Sequence, residues 1–389
     1  MDKKTIAVFF GGKTPEHDVS IVSAISSVIK PLRLSGHRVV PIYIAKDGNW
    51  YTGDELAEIR TYQTGKIEAI VAKQKPLTIS VNDGLTIIPD GRERKAVRID
   101  IAFPVMHGSY GEDGSLMGFL RMANVPFVGC DMEASVIAMN KILAKQTAHA
   151  NDIPTPKYLA FRKSEFEKNR AEVLRKINNA LKFPLFVKPP HAGSSIGITK
   201  VKTERDLENA LEVAAHYDEA ILVEESIENL IEVTVPIIGS DEPILGNVER
   251  PMHLSSDGVF DFETKYLSGG KKGGKGGKSG KQGAQGYSEI PAKLPAELYR
   301  ACEDTAQKMH QAVGLSGIAR VDLLIDSKTN VVYFNEINPM PGSLYAHNWV
   351  VKGMSNVALV EKLLDYAARD FEKRARTNTT FATNFLKQF

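Results

Sequence analysis

The sequence predicts an α/β protein with α+β parts: an N-terminal doubly wound parallel sheet followed by two smaller α+β units. Three observations carry this. Apolar β-type runs are followed by glycine turns and then by helical periodicity, the order that builds a parallel sheet covered by helices. Farther along, capped helices alternate with short strands. The chain has 389 residues, 43% of them hydrophobic, which is ample for two or three domains of about 100–200 residues and too apolar for a disordered chain.

Thr5–Phe10 reads as the first strand, Gly11-Gly12 breaks it, and Asp18–Ile25 suits a helix. Arg38–Ile44 is the next strand. Residues 46–98 mix short strand-like pieces with polar turns. Ile99–Val105 is a buried strand that runs into His107–Gly114 and a helix from about Ser115. Pro126–Gly129 is a short strand, and 133–150 has helical periodicity. In the second block, helices are expected at Ser164–Ala180, with Ser164 as N-cap, and at Thr203–His216. Strands are expected at Pro184–Lys188, Ile196–Val201, Ala220–Glu224 and Glu232–Ile238. The last block has strands near 244–249, 318–325 and 331–337, the latter two joined by the turn Asp326–Asn330, with helices at 295–313 and 355–373. The expected domains are therefore 1–130, 131–238 and 239–375, with a polar tail 376–389. No repeat at solenoid periods is visible.

Two cysteines, Cys130 and Cys302, cannot build a disulfide framework and lack metal-ligand spacing. No apolar run approaches the roughly 18–20 residues of a membrane helix, and the first apolar stretch ends too soon at Gly11-Gly12 for a signal peptide. A soluble protein of the cytoplasm, with no membrane partner, is expected. The formal net charge of +2 supplies no general basic field for nucleic acid. Residues 269–286 hold nine of the 31 glycines and five lysines with no acid. Without those lysines the rest of the chain stands at −3, so the basic pI belongs to one loop.

Two constellations carry chemistry. In residues 183–197, FPLFVKPPHAGSSIG, Lys188 ends a strand and a glycine loop follows at once. Glycines let backbone N–H groups approach an anion, and the lysine supplies charge. A glycine hairpin with a snorkelling lysine is the plainer alternative. A Walker-type loop is rejected: at Gly277-Lys278-Ser279 the required first glycine is Lys272. The second constellation is Arg320 and Asp322 with Glu336 and Asn338. Alternation puts each pair on one strand face, and the turn between them would face Asp322 towards Glu336. Oxygen ligands beside an arginine suit Mg²⁺ holding a polyphosphate. A solvated strand face is less favourable, because apolar residues flank all four positions and stranded carboxylates are costly there. Glu224 and Glu232 could accept from adenine or ribose, a weak signal alone. Glu16 and His107 sit where strands of the first domain give way to helices, the edge at which open α/β sheets bind ligands.

In order along the chain, PEHDVS (15–20), HGSYGEDG (107–114), MNK (139–141), KPPHAGSSIG (188–197), TKY (264–266), ARVD (319–322) and NEINPMPG (335–342) resemble the D-alanine–D-alanine ligase family of the ATP-grasp superfamily. The resemblance runs from Gly11 to about residue 370. It implies an ATP-grasp fold in which the two α+β units enclose ATP. It also implies the joining of two D-alanines for peptidoglycan, with ATP as co-substrate, two Mg²⁺ ions (or Mn²⁺) and a homodimer. By position, Lys141, Lys188 and Ser195 would bind the phosphates, Glu224 and Ile227 adenine, and Glu232 the ribose. Asp322, Glu336 and Asn338 would hold metal, and Arg320 would stabilise the transferring phosphoryl group. Glu16 and His107 would meet the first D-alanine. Lys265 and Tyr266 would belong to a lid, 264–290, linked to the site through Glu16, Ser194 and Tyr266.

Two departures stand out. After Pro341-Gly342 the family carries a polar segment ending in Ser-Leu that holds the second carboxylate, whereas this chain reads Ser343-Leu-Tyr-Ala-His347-Asn348-Trp349. Gly342, Ser343 and His347 are therefore the candidates for the second substrate, with Asn348 a further donor for its carboxylate; a protonated His347 would donate strongly to a carboxylate. Packing of His347 and Trp349 against the lid is the equal alternative. The Gly/Lys tract 269–286 lengthens the lid, either as a solvated extension or as a cationic patch that steers an anion.

Overall fold

The computed structural model describes residues 3–82, 84–91, 95–251, 288–377, 383 and 385–389. Lys265, Tyr266 and the tract 269–286 lie outside them. The first sheet has the order Trp50–Thr52, Arg38–Ile44, Thr5–Gly11, Ile101–Pro104, parallel except at its Trp50–Thr52 edge. Thr5–Gly11 is central and buried almost throughout, as its unbroken apolar run requires. Pro126–Gly129 contributes only a bridge from Phe127 to Ala102. Pro126 has no N–H to give, and Gly129 turns the chain away at φ 112°. The mixed stretch 46–98 supplies the edge strand and a separate three-stranded sheet of Thr78–Ser80, Thr86–Ile88 and Val97–Arg98.

The central sheet is antiparallel, in the order Thr199–Val201, Leu185–Lys188, Ala220–Glu225, Tyr158–Arg162. The expected fourth strand, Glu232–Ile238, is placed differently. It is Leu230–Ile238, and it pairs residue for residue with Ile318–Asp326 in the third sheet. Its buried Val233, Val235 and Ile237 pack in that sheet's core with Val321 and Leu323. The third sheet runs Ile244–Leu245, Leu230–Ile238, Ile318–Asp326, Val331–Asn338.

Two expected helices are each split by an asparagine. The 133–150 stretch becomes Met132–Met139 and Lys141–Ala150, because the Asn140 side chain leaves the helix to accept from the N–H groups of Ile142 and Leu143. Ser164–Ala180 becomes Lys163–Lys168 and Arg170–Ala180, with Asn169 capping the second piece. An asparagine that caps competes with helix continuation by offering the backbone another partner. The C-terminal helices are Ala296–Val313 and Asn356–Ala375, the second capped by Ser355. One core cluster joins Ile6, Val8 and Phe10 of the first sheet to Trp349, Leu359 and Leu363. The first and last parts of the chain thus share a hydrophobic interior. Among the described residues no helix is long and apolar enough to cross a membrane.

Candidate active site

The hairpin of Ile318–Asp326 and Val331–Asn338 sets Asp322 opposite Glu336 and Arg320 opposite Asn338, with a register irregularity just after Asp322. Between these polar positions Val321 and Leu323 point into the core, as strand alternation requires. The Arg320 guanidinium meets Asp322 with two parallel bonds, 2.7 Å from Nε and 2.6 Å from Nη2. It also lies 5.3 Å from the centre of the Tyr345 ring. Burial works to discharge Arg320, but the Asp322 charge and hydrogen bonds outweigh it and hold its pKa well above the ordinary value. A permanently charged, pre-aimed fork suits a phosphoryl group or an oxyanion.

Lysines gather on the opposite wall. Capping by Asn140 makes Lys141 the first residue of its helix, from which Nζ reaches the Ala192 carbonyl at 2.9 Å and Glu336 Oε2 at 3.2 Å. Lys188, at the end of Leu185–Lys188, is ion-paired with Glu224 Oε1, and Lys145 lies 3.0 Å from Glu224 Oε2. All three of these residues are buried. Burial acts to raise the Glu224 pKa, but Lys145 and then Lys188 hold it below the usual carboxylate range. Among Lys141, Lys145, Lys188, Glu224 and Glu336 the lysines outnumber the carboxylates, a surplus that favours an incoming anion. Ile227 and Glu232 are half-buried, Ile227 just past Ala220–Glu225 and Glu232 within Leu230–Ile238.

Glu16 bridges the first and central parts. It is buried just ahead of the helix His17–Ser23, and its Oε1 accepts from Ser194 Oγ at 2.5 Å. Ser194 and Ser195 both sit in the left-handed region, at φ 51° and 61°. A Cβ on Gly193 or on Gly108 would stand 3.1 Å from Glu16 Oε2; two glycines let two loops close on one carboxylate. His107 is buried, and burial pulls its pKa down towards the neutral ring. Its Nε2 lies 3.2 Å from Ser23 Oγ, which also accepts the Ser343 N–H at 2.9 Å.

Gly342 opens a turn in which Ser343, Leu344 and Tyr345 all have positive φ, 52°, 56° and 52°. Three consecutive non-glycine residues in this region store strain that the surroundings must hold. Ser23 grips Ser343, and Tyr345 Oη pairs with Thr234 Oγ1 at 3.0 Å. His347 Nε2 lies 3.0 and 3.1 Å from the two oxygens of buried Glu249, and its ring packs tilted against Tyr345, with centroids 4.5 Å apart. Asn348 is buried and bonded to Asn247 and Glu249, so it is a structural anchor. Trp349 is fully buried in the shared core.

The donors fit a magnesium–phosphate site. Asp322, Glu336 and Asn338 offer oxygens only, and among the described residues no group of three or more His, Cys, Asp or Glu forms a protein-only cage. Magnesium is ordinarily held by one or two carboxylates plus substrate phosphates. A cavity of about 430 Å³ opens beside Glu16, Gly108 and Gly193, on the outer side of the glycine loop. Lys188, Arg320, Asp322 and Glu336 do not line it. Sequence reasoning missed Lys145, Ser23 and Glu249. Lys145 was legible as the residue four after Lys141 on a helix face.

The chain is similar to known proteins along nearly its whole length. Residues 5–130 match the family model "D-ala D-ala ligase N-terminus" and residues 147–365 the model "D-ala D-ala ligase C-terminus". A D-alanine–D-alanine ligase of Acetivibrio thermocellus is 35% identical over 95% of this chain and 97% of its own length. The crystal structure of the VanG D-Ala:D-Ser ligase from Enterococcus faecalis superposes with TM-score 0.77 at 31% identity, covering 94% of this chain and all of that one. The D-alanine–D-alanine ligase of Coxiella burnetii has the same fold, with TM-score 0.77 at 24% identity and 97% of each chain covered. The chain belongs to the D-Ala–D-Ala ligase family.

Proposed function

We propose that this protein joins two D-alanines into D-alanyl-D-alanine at the expense of ATP, supplying peptidoglycan synthesis in the cytoplasm. The observation that carries it is the convergence of surplus buried lysines with the Arg320–Asp322–Glu336–Asn338 hairpin, in a chain of this family. A carboxylate oxygen of the first D-alanine attacks the γ-phosphorus and ADP leaves. The amine of the second attacks the acyl phosphate carbon, and the tetrahedral oxyanion collapses with loss of phosphate. Lys141 and Lys188, with Ser195 of the glycine loop, neutralise and place the phosphates, and Arg320 meets the charge that develops in both steps. Glu224 and Ile227 serve adenine, Glu232 the ribose, and Glu16 the first ammonium beside His107 and Ser194. Mg²⁺ held by Asp322, Glu336 and Asn338 would supply charge neutralisation on the phosphates. Gly342, Ser343 and His347 border the second amino acid. Lys265 and Tyr266, which the resemblance assigns to the lid, lie outside the described residues, and a homodimer is the expected assembly.

One observation favours a second reading. His347, held by Glu249, stands where the family segment ends in serine, and a structural relative at 31% identity is a D-Ala:D-Ser ligase. A mixed dipeptide with D-serine second is therefore the alternative product. Phosphate release and product identity across D-alanine, D-serine, D-lactate and L-amino acids separate the readings. D-Alanine alone should support release, and Glu336→Gln should cut it roughly a hundredfold or more with a melting temperature near wild type. Release that ignores amino acids, or that needs D-serine, would overturn the first reading.

A further inference from the structure

Lys145 lies one turn beyond Lys141 on the helix Lys141–Ala150, and it is fully buried. Its Nζ is ion-paired with Glu224 Oε2 at 3.0 Å and has no hydrogen-bond partner among the described residues. The other oxygen of Glu224 holds Lys188. Two ammonium groups thus share one carboxylate out of water, with Glu224 only 2% exposed. The two lysines differ in where they can go. Lys188 ends its strand just ahead of the glycine loop, where the reading above places the phosphates. Lys145 is enclosed and ion-paired with Glu224, while the Glu336 charge acts on it more weakly. Once Lys188 turns to a phosphate, Glu224 would be a lone buried charge unless something else answered it, and a lone buried charge is costly.

We propose that Lys145 is a positioning residue for the nucleotide, a fixed counter-ion that keeps Glu224 charged and in place while Lys188 passes between Glu224 and the ATP phosphates. This rests on the ATP-dependent reading above. Burial, joined by the neighbouring Lys188, lowers the Lys145 pKa, and Glu224 is the main group opposing it. Lys145 and Glu224 therefore support each other's charge, with Lys188 also holding the Glu224 pKa down. Lys145 does not touch ATP. It works through Glu224, which in turn sets where adenine and Lys188 can sit.

The test uses the full chain and the non-hydrolysable analogue AMP-PNP with Mg²⁺, titrated by calorimetry without amino acid. Lys145→Met should weaken binding roughly tenfold or more and raise KM for ATP, while KM for D-alanine holds. In a Glu224→Gln background the same substitution should have little further effect, because no charge remains to be answered. Wild-type binding in Lys145→Met, or an equal loss in both backgrounds, would overturn the proposal and leave only packing. Should Lys145→Met alone fail to fold, recovery of folding in the double variant, with AMP-PNP affinity matching Glu224→Gln, supports it. A double variant that also fails to fold contradicts it. A wild-type protein that binds no AMP-PNP and releases no phosphate with any amino acid defeats the ATP reading itself. Failure of Lys145→Met to differ from a wild type that does bind defeats only the counter-ion role.

Discussion

Glu112 lies beneath Glu16, with Oε2 accepting the Gly108 N–H at 2.6 Å and Oε1 without a hydrogen-bond partner among the described residues. Burial, helped by the Glu16 charge, pushes its pKa from the ordinary 4.5 up to about 8. The folded state therefore binds a proton that the unfolded chain gives up. Linkage makes this contribution to stability fully present below the unfolded value and lost as pH rises towards 8. Glu112→Gln mimics the neutral acid. Its melting temperature relative to wild type should rise from pH 5 to about pH 8 and level off above that, and a difference that ignores pH would contradict the assignment. At this scale the legible residues were those that break a strand's apolar pattern, Arg320, Asp322, Glu336 and Asn338. Ser23 was hidden for a physical reason. Its partners His107 and Ser343 lie 84 and 320 residues away in sequence, and no local period encodes such contacts.

Among the elements, the short break at Asn140 matters most. The side chain caps Lys141–Ala150 and aims Lys141 and Lys145 at Glu336 and Glu224. Asn140→Ala should cost about 1 kcal/mol of unfolding free energy, measured by denaturant titration, and should also weaken AMP-PNP binding. A stability loss with unchanged nucleotide affinity would separate the cap from the site. Most elements were legible, because buried parallel strands such as Arg38–Ile44 are unbroken apolar runs. The sheet membership of Leu230–Ile238 was not. Either sheet could accept its alternation, and only its nine-residue register with Ile318–Asp326 decides.

The whole molecule converges on one seam. Glu16 comes from the first sheet's edge, Ser194 and Lys188 from the central unit, and Arg320, Asp322 and Glu336 from the third. The shared core holds the outer two together, and His37 ties the first part to Glu361 of the last helix at 2.8 Å. Such a seam draws reactants out of water, which protects an acyl phosphate from hydrolysis. The order of motifs made this assembly legible; the way Gly108 and Gly193 close on Glu16 was not, since glycine spacing says nothing of which loops meet. The central claim is that a D-alanine carboxylate is phosphorylated by ATP before the amine attacks. D-Alanine labelled with ¹⁸O in its carboxylate tests this directly. The account predicts that released inorganic phosphate carries one labelled oxygen for each dipeptide formed. Dipeptide formation with unlabelled phosphate, the label appearing instead in AMP or only in product, would contradict it.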